Sequence, residues 1–155
     1  MGKRGIGKKQ RSKNLPLIMA AHEIPYVATA CMSYPHDFER KLRKALGVKD
    51  GLVYIHLLSP CPTGWRFPPE KAIEIGRLAV ETNFFPLWEV ERGLYRFTVE
   101  IKKPKPLEEF LGKMGKYSHL SRRQLQEIKG VPGKRYATLD NLGRSSEKAH
   151  CDPRI

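Results

Sequence analysis

The feature that most limits what this chain can fold into is a pair of apolar runs, IPYVATA at residues 24 to 30 and LVYIHLL at 52 to 58, separated by an amphipathic stretch. Both runs are short, rich in β-branched and aromatic residues, and bounded by turn formers, so each predicts a strand covered on both faces. Between them, HDFERKLRKALG (36 to 47) places Phe38, Leu42 and Ala45 or Leu46 on one stripe. Arg40, Lys41, Arg43 and Lys44 fall largely outside it, and Gly47 stands in the stop position. Two strands joined by a helix of this length form a parallel pair through a right-handed crossover.

The rest of the chain builds on that unit. LPLIMAAH, after Asn14 and with Pro16 in its first turn, predicts a short helix, and Asp50-Gly51 predicts a turn. A second long helix is expected from about Pro69 to Thr82, with Ala72, Ile75, Ala79 and Ile73, Gly76, Val80 forming a broad apolar face. FPLWEV and LYRFTVEI, separated around Glu91, Arg92 and Gly93, read as a hairpin. The predicted class is α/β, with parallel strands, flanking helices, a C-terminal β-hairpin and short helices. The organisation read from the 155 residues is a basic flexible leader (1 to 13) and one α/β domain (14 to 101). A linker with short helices (102 to 129), including LEEFLGKM and SRRQLQEI, leads to an irregular basic tail (130 to 155). That tail, GVPGKRYATLDNLGRSSEKAHCDPRI, shows no sustained period and is expected to lack regular structure.

A net charge of +13 invites a nucleic-acid reading, and its distribution argues against one. Residues 1 to 14 carry six basic side chains and no acidic one, residues 15 to 101 carry ten of each, and residues 102 to 155 carry thirteen basic and six acidic. The predicted folded body is neutral, and the excess sits at the two ends, the ordinary pattern of solvated tails. No run of eighteen apolar residues occurs, and no signal-peptide pattern follows the basic start, so a soluble protein without membrane contact and with a cytoplasmic location is expected.

Cys31, Cys61 and Cys151 stand far apart without a C-x-x-C pair, which excludes a self-contained four-thiolate site and a disulfide framework. Cys61 is the cysteine with a chemical context. It sits three residues past the second strand in SPCPTGWRFPP, at the carboxyl end where α/β sheets gather ligands, in a loop stiffened by Pro60, Pro62, Pro68 and Pro69. From residue type alone it is either a metal ligand or a small buried apolar side chain. His56 reads as a hydrogen-bonded core histidine, and His22 and His36 lack partners at diagnostic spacing. Trp65 reads as a packing residue, with stacking on a flat ligand as the alternative. No phosphate-loop, dinucleotide or H-E-x-x-H motif occurs, and no catalytic residue is assigned.

Four strings, in order, carry a resemblance: NLPLIMAAHEIPYVATA, SYPHDFERKLRKAL, YIHLLSPCPTGWRFPPEKAIEIGRLAVETNFFPLWEVE and KPKPLEEFLGKMGKYSHL. From about residue 14 to 120 the chain resembles the C-terminal half of the beta subunit of pyruvate:ferredoxin oxidoreductase, or pyruvate synthase. That resemblance implies part of a thiamine-diphosphate-binding fold. It implies thiamine diphosphate, Mg2+ and a [4Fe-4S] cluster in the intact assembly, with Cys61 as one cluster ligand and the other three thiolates on an N-terminal portion not represented here. It assigns nothing to Cys31. The implied reaction is oxidative decarboxylation of pyruvate to acetyl-CoA, or its reverse, with electrons passing to ferredoxin. The implied partners are the N-terminal portion of the beta subunit, the alpha, gamma and delta type subunits and, indirectly, ferredoxin. Pyruvate is favoured over other 2-oxoacids because the SPCPTGWRFPPEK string is most like that branch.

The C-x-x-C pair and the G-D-G…N segment of such subunits are absent, and the last 26 residues depart from the family's helical finish, so the isolated chain is expected to be inactive. A split subunit, a truncation and an inert remnant all fit this. The alternative from another class is a small basic module that binds RNA or an acidic protein through its ends.

Overall fold

The structure is a computed structural model describing residues 13 to 151; the leader up to residue 12 and the last four residues lie outside the described part. Four strands form one sheet: β1 (Tyr26–Cys31), β2 (Val53–Leu58), β3 (Leu87–Glu91) and β4 (Leu94–Val99), in the order β2-β1-β3-β4. β1 pairs parallel with β2, from Tyr26 opposite Val53 to Cys31 opposite Leu58, and antiparallel with β3, which pairs antiparallel with β4. The helices are α1 (Leu15–Ala20), α2 (Pro35–Gly47), α3 (Pro62–Trp65), α4 (Ala72–Glu81), α5 (Leu107–Gly112) and α6 (Arg122–Cys151). The α/β class, the parallel pair and the hairpin are therefore as the sequence predicts, and the arrangement is compatible with part of a thiamine-diphosphate-binding fold. Among the described residues, no helix is long and apolar enough to cross a membrane.

Local chemistry explains the elements. α2 starts at Pro35, whose fixed φ suits the first turn, with Asp37 near the positive helix end and Lys44 near the negative one. The β3–β4 turn puts Arg92 and Gly93 at φ of 48° and 83°, the twin left-handed residues that a two-residue hairpin needs. α4 lies so close to the end of β1 that a Cβ on Gly76 would come within 2.0 Å of Ser33 Oγ, so glycine sets that packing distance.

β1 is the fully buried centre. One sheet face packs Val27, Trp88 and Val90 against Ala20 of α1 and Leu139 of α6. The other packs Tyr26 and Ala28 against Ala45 of α2. A further cluster of Phe67, Ile75, Leu78, Leu107, Phe110 and Met114 joins α4 and α5 below the loop that follows β2.

Three expectations need correction. β2 is not a strand covered on both faces: it ends the sheet, its residues are half-buried, and Leu57 is exposed. The apolar stripe of α2 does not all enter the core. Lys41 and Ala45 point inward, with Lys41 fully buried, while Leu42 and Leu46 remain 42% and 68% exposed. Lys41 is tolerated inside because its ammonium donates to the Thr29 carbonyl at 2.7 Å and pairs with Asp37. Finally, the irregular tail from residue 130 is helical, and SRRQLQEI with that tail forms the single helix α6. Its order comes from docking on β4 rather than from a strong apolar stripe. Tyr136 stacks on Phe97 at 4.4 Å, Leu139 is buried, and Ser146 Oγ accepts from the Tyr95 amide at 3.1 Å.

Candidate functional site: the loop carrying Cys61

The register of β1 and β2 sets Cys31 opposite Leu58, and the Met32 amide donates to the Leu58 carbonyl at 3.1 Å, so the loops after both strands leave the sheet side by side. The second loop folds at once into the single turn α3, with Cys61 as its N-cap. Cys61 Sγ accepts from the Gly64 amide at 3.3 Å, and the Trp65 amide donates to the Cys61 carbonyl at 2.9 Å. Arg66 then takes a left-handed conformation, φ 59°, and its carbonyl accepts from the Gly115 amide at 2.9 Å, which ties the loop to the segment after α5.

Cys61 is free and exposed, so the reading of it as a small buried apolar residue is not met. Its loop is anchored from below. Trp65 meets Phe67 and Phe110 edge-on at 6.3 and 6.2 Å, so it packs as expected, and Lys116 Nζ lies 5.7 Å from its ring centroid. A shallow groove beside the cysteine is lined by Pro62, Thr63, Arg66, Phe67, Pro68 and Pro69. The thiol is thus carried on a proline-fixed turn over an aromatic base, with its sulfur directed by one amide and facing outward.

The other candidates separate clearly. Cys31 is buried in β1, its Sγ lies 3.7 Å from the Gly76 carbonyl, and burial pushes its thiol pKa up, against reactivity or metal binding. His56 lies edge-on to Phe85 at 5.4 Å, and burial, followed by the nearby Arg135 charge, lowers its pKa. His22 and His36 are exposed. No group of three or more His, Cys, Asp or Glu able to hold a metal occurs among the described residues.

A buried charge cluster, not anticipated from the sequence, lies between the sheet and α2. Glu89 of β3 is fully buried and accepts from Tyr26 Oη at 2.7 Å, Lys44 Nζ at 2.8 Å and Arg96 Nε at 2.7 Å. Burial alone would raise its pKa, but the hydrogen bonds from Lys44, Tyr26 and Arg96 outweigh it and hold the carboxyl at about 2. Tyr26 is pushed up by burial and by that carboxylate. The available signal was the alternation of Glu89 and Glu91 along one face of a strand, opposite the cationic side of α2.

No family model matches the chain. A curated protein named pyruvate synthase subunit PorB from Methanocaldococcus jannaschii is 52% identical over 122 residues, 79% of this chain and 41% of its own length. The ketoisovalerate oxidoreductase subunit VorB of Pyrococcus horikoshii is 46% identical over 129 residues, 82% of this chain and 41% of its own. The beta subunit of an NADH-dependent phenylglyoxylate dehydrogenase from Aromatoleum evansii is 42% identical over 155 residues, 97% of this chain and 33% of its own. That last match runs through nearly all of the C-terminal tail, so the likeness does not stop near residue 120. The chain spans less than half the length of these relatives. Over the matched residues, it is homologous to the beta-type subunits of 2-oxoacid:ferredoxin oxidoreductases, PorB and VorB among them.

Proposed function

We propose that this chain is a segment of the beta subunit of a pyruvate synthase, working in the cytoplasm in the interconversion of pyruvate and acetyl-CoA with ferredoxin as electron partner. The observation that carries the reading is the ordered identity of 52% to a PorB subunit across a region that includes the Cys61 loop. Pyruvate is proposed over other 2-oxoacids because the SPCPTGWRFPPEK string is most like that branch and the relatives at 50% identity or more are named pyruvate synthase subunits. In this reading the segment acts together with the remaining length of such a subunit and with the alpha, gamma and delta type subunits, and activity belongs to that assembly.

Cys61 fits a cluster ligand. Its thiol is free and exposed, and the Gly64 amide donates to the sulfur at 3.3 Å, so the turn holds the sulfur in one direction. When bound, a [4Fe-4S] group supplies one-electron transfer, and this chain would give it one sulfur in a fixed direction. Thiamine diphosphate and Mg2+ belong in this reading to the intact assembly, and no residue of this chain is assigned to them.

The test is co-expression of the full chain with a polypeptide covering the part of the M. jannaschii subunit that this chain does not match. Brown protein with iron-sulfur absorbance is expected, and Cys61→Ser should lower iron content and bleach the spectrum while leaving the fold intact. Iron and absorbance unchanged in Cys61→Ser would remove Cys61 from the ligand set.

A further inference from the structure

The 30-residue helix α6 is attached to the rest of the molecule at two places, and its weakest residues stand between them. Towards its start, Leu125 and Ile128 pack on the cluster around Phe67, Phe110 and Met114, the base that also takes Trp65 and so carries the Cys61 turn. Towards its end, Tyr136 stacks on Phe97, Leu139 joins the cluster on the sheet face, and Ser146 accepts from the Tyr95 amide. The run Gly130, Val131, Pro132, Gly133 falls in the gap.

Three of those four residues are of the two types a helix interior tolerates least. Pro132 has no amide, so the Ile128 carbonyl loses its donor four residues on, and the proline ring crowds the same carbonyl. Packing does not demand the glycines: a Cβ on Gly130 or on Gly133 would meet nothing within 4 Å, and neither takes a left-handed φ. That separates them from Gly143 of the same helix, where a Cβ would meet the Tyr95 carbonyl at 3.4 Å. The front half also carries its own start. The Gln124 amide donates to Ser121 Oγ at 3.3 Å and the Ser121 amide donates to Gln124 Oε1 at 2.9 Å, a capping box. A helix whose ladder is interrupted where its attachment passes from one cluster to another opens in two steps rather than one.

We propose that α6 is a jointed strap. Residues 122 to 129 form a lid on the aromatic base of the Cys61 turn, and this lid lifts at the joint of residues 130 to 133 while residues 134 to 148 stay on β4. Lifting withdraws Leu125 and Ile128 from the base, and Trp65 loses part of its support. The device belongs to this chain's own helix, so its failure leaves the subunit reading standing.

The test is amide exchange on the full chain and two variants. In the parent, residues 122 to 129 should open at least tenfold more often than residues 136 to 146. Gly130→Ala with Pro132→Ala and Gly133→Ala restores a continuous ladder; it should slow exchange in 122 to 129 at least tenfold and leave 136 to 146 within threefold. Leu125→Ala removes a contact of the lid alone, and should speed exchange in 122 to 129 at least fivefold without moving 136 to 146. Trp88 is 3% exposed, so acrylamide quenching reports Trp65 and should fall in the triple variant. Equal protection of the two halves in the parent, or a Leu125→Ala effect shared by both, makes α6 one rigid rod and overturns the strap. Unchanged exchange in the triple variant overturns the joint at residues 130 to 133. Unchanged quenching there overturns the link to the Cys61 turn.

Discussion

At the residue scale, the buried Glu89 dominates the electrostatics. A carboxylate with no solvent contact is stable only because Lys44, Arg96 and Tyr26 donate to it, and each donor belongs to a different element. The cluster therefore links α2, β1, β3 and β4 through one side chain. Its folded pKa of about 2 lies below the ordinary 4.5, so its stabilisation is full above pH 4.5 and lost as pH falls towards 2. Such a difference corresponds to about 3 kcal/mol. Thermal unfolding followed from pH 7 to pH 2.5 should show a fall in Tm that begins below about pH 4.5 and is reduced in Glu89→Gln. Glu89→Gln should also be less stable at pH 7, by about 3 kcal/mol, because Lys44 and Arg96 lose their shared buried partner. Equal acid sensitivity in the two proteins would place the titrating group elsewhere.

At the element scale, α6 is the part whose structure depends most on tertiary contact. Tyr136, Leu139, Gly143 and Ser146 form its contact side, and two of these four are too small or polar to register as an apolar period. Gly130, Pro132 and Gly133 further dilute the helical signal, so the sequence reads as an irregular tail although the residues fit β4 when placed on it. Leu139→Ala should cost about 2–4 kcal/mol in chemical denaturation, the usual cost for a leucine in a packed core, whereas Arg144→Ala should be near neutral. Near-identical denaturation curves for the two variants would mean that α6 adds nothing to the domain. The same reasoning explains what was readable. β1, α2 and the hairpin carry strong local signals in IPYVATA, in the Pro35 to Gly47 pattern and in Arg92-Gly93. The half-buried state of β2 and the outward Leu42 and Leu46 were not readable, because apolar patterning reports a surface meant for burial without saying which polypeptide buries it. Cys61 shows the same limit. Its loop position was legible, but its exposure and its bond to the Gly64 amide come from the turn at Pro62–Trp65.

At the scale of the whole molecule, the issue is what a net charge of +13 does. The sheet and its flanking helices are neutral between residues 15 and 101, and several of their charges are consumed internally, as in the Glu89 cluster and the Asp50–Arg92 pair at 2.9 Å. α6 holds seven basic and three acidic residues, with Asp140 paired to Arg144, and the leader holds six basic residues. Charge gathered at the two ends of the sequence attracts a polyanion weakly and without sequence preference. In a titration with a labelled single-stranded RNA, binding at low salt should vanish between roughly 50 and 200 mM KCl, with no saturation below micromolar protein at the higher value. Saturable nanomolar RNA binding that survives 200 mM KCl would instead establish a nucleic-acid module and displace the subunit reading from the function of the free chain.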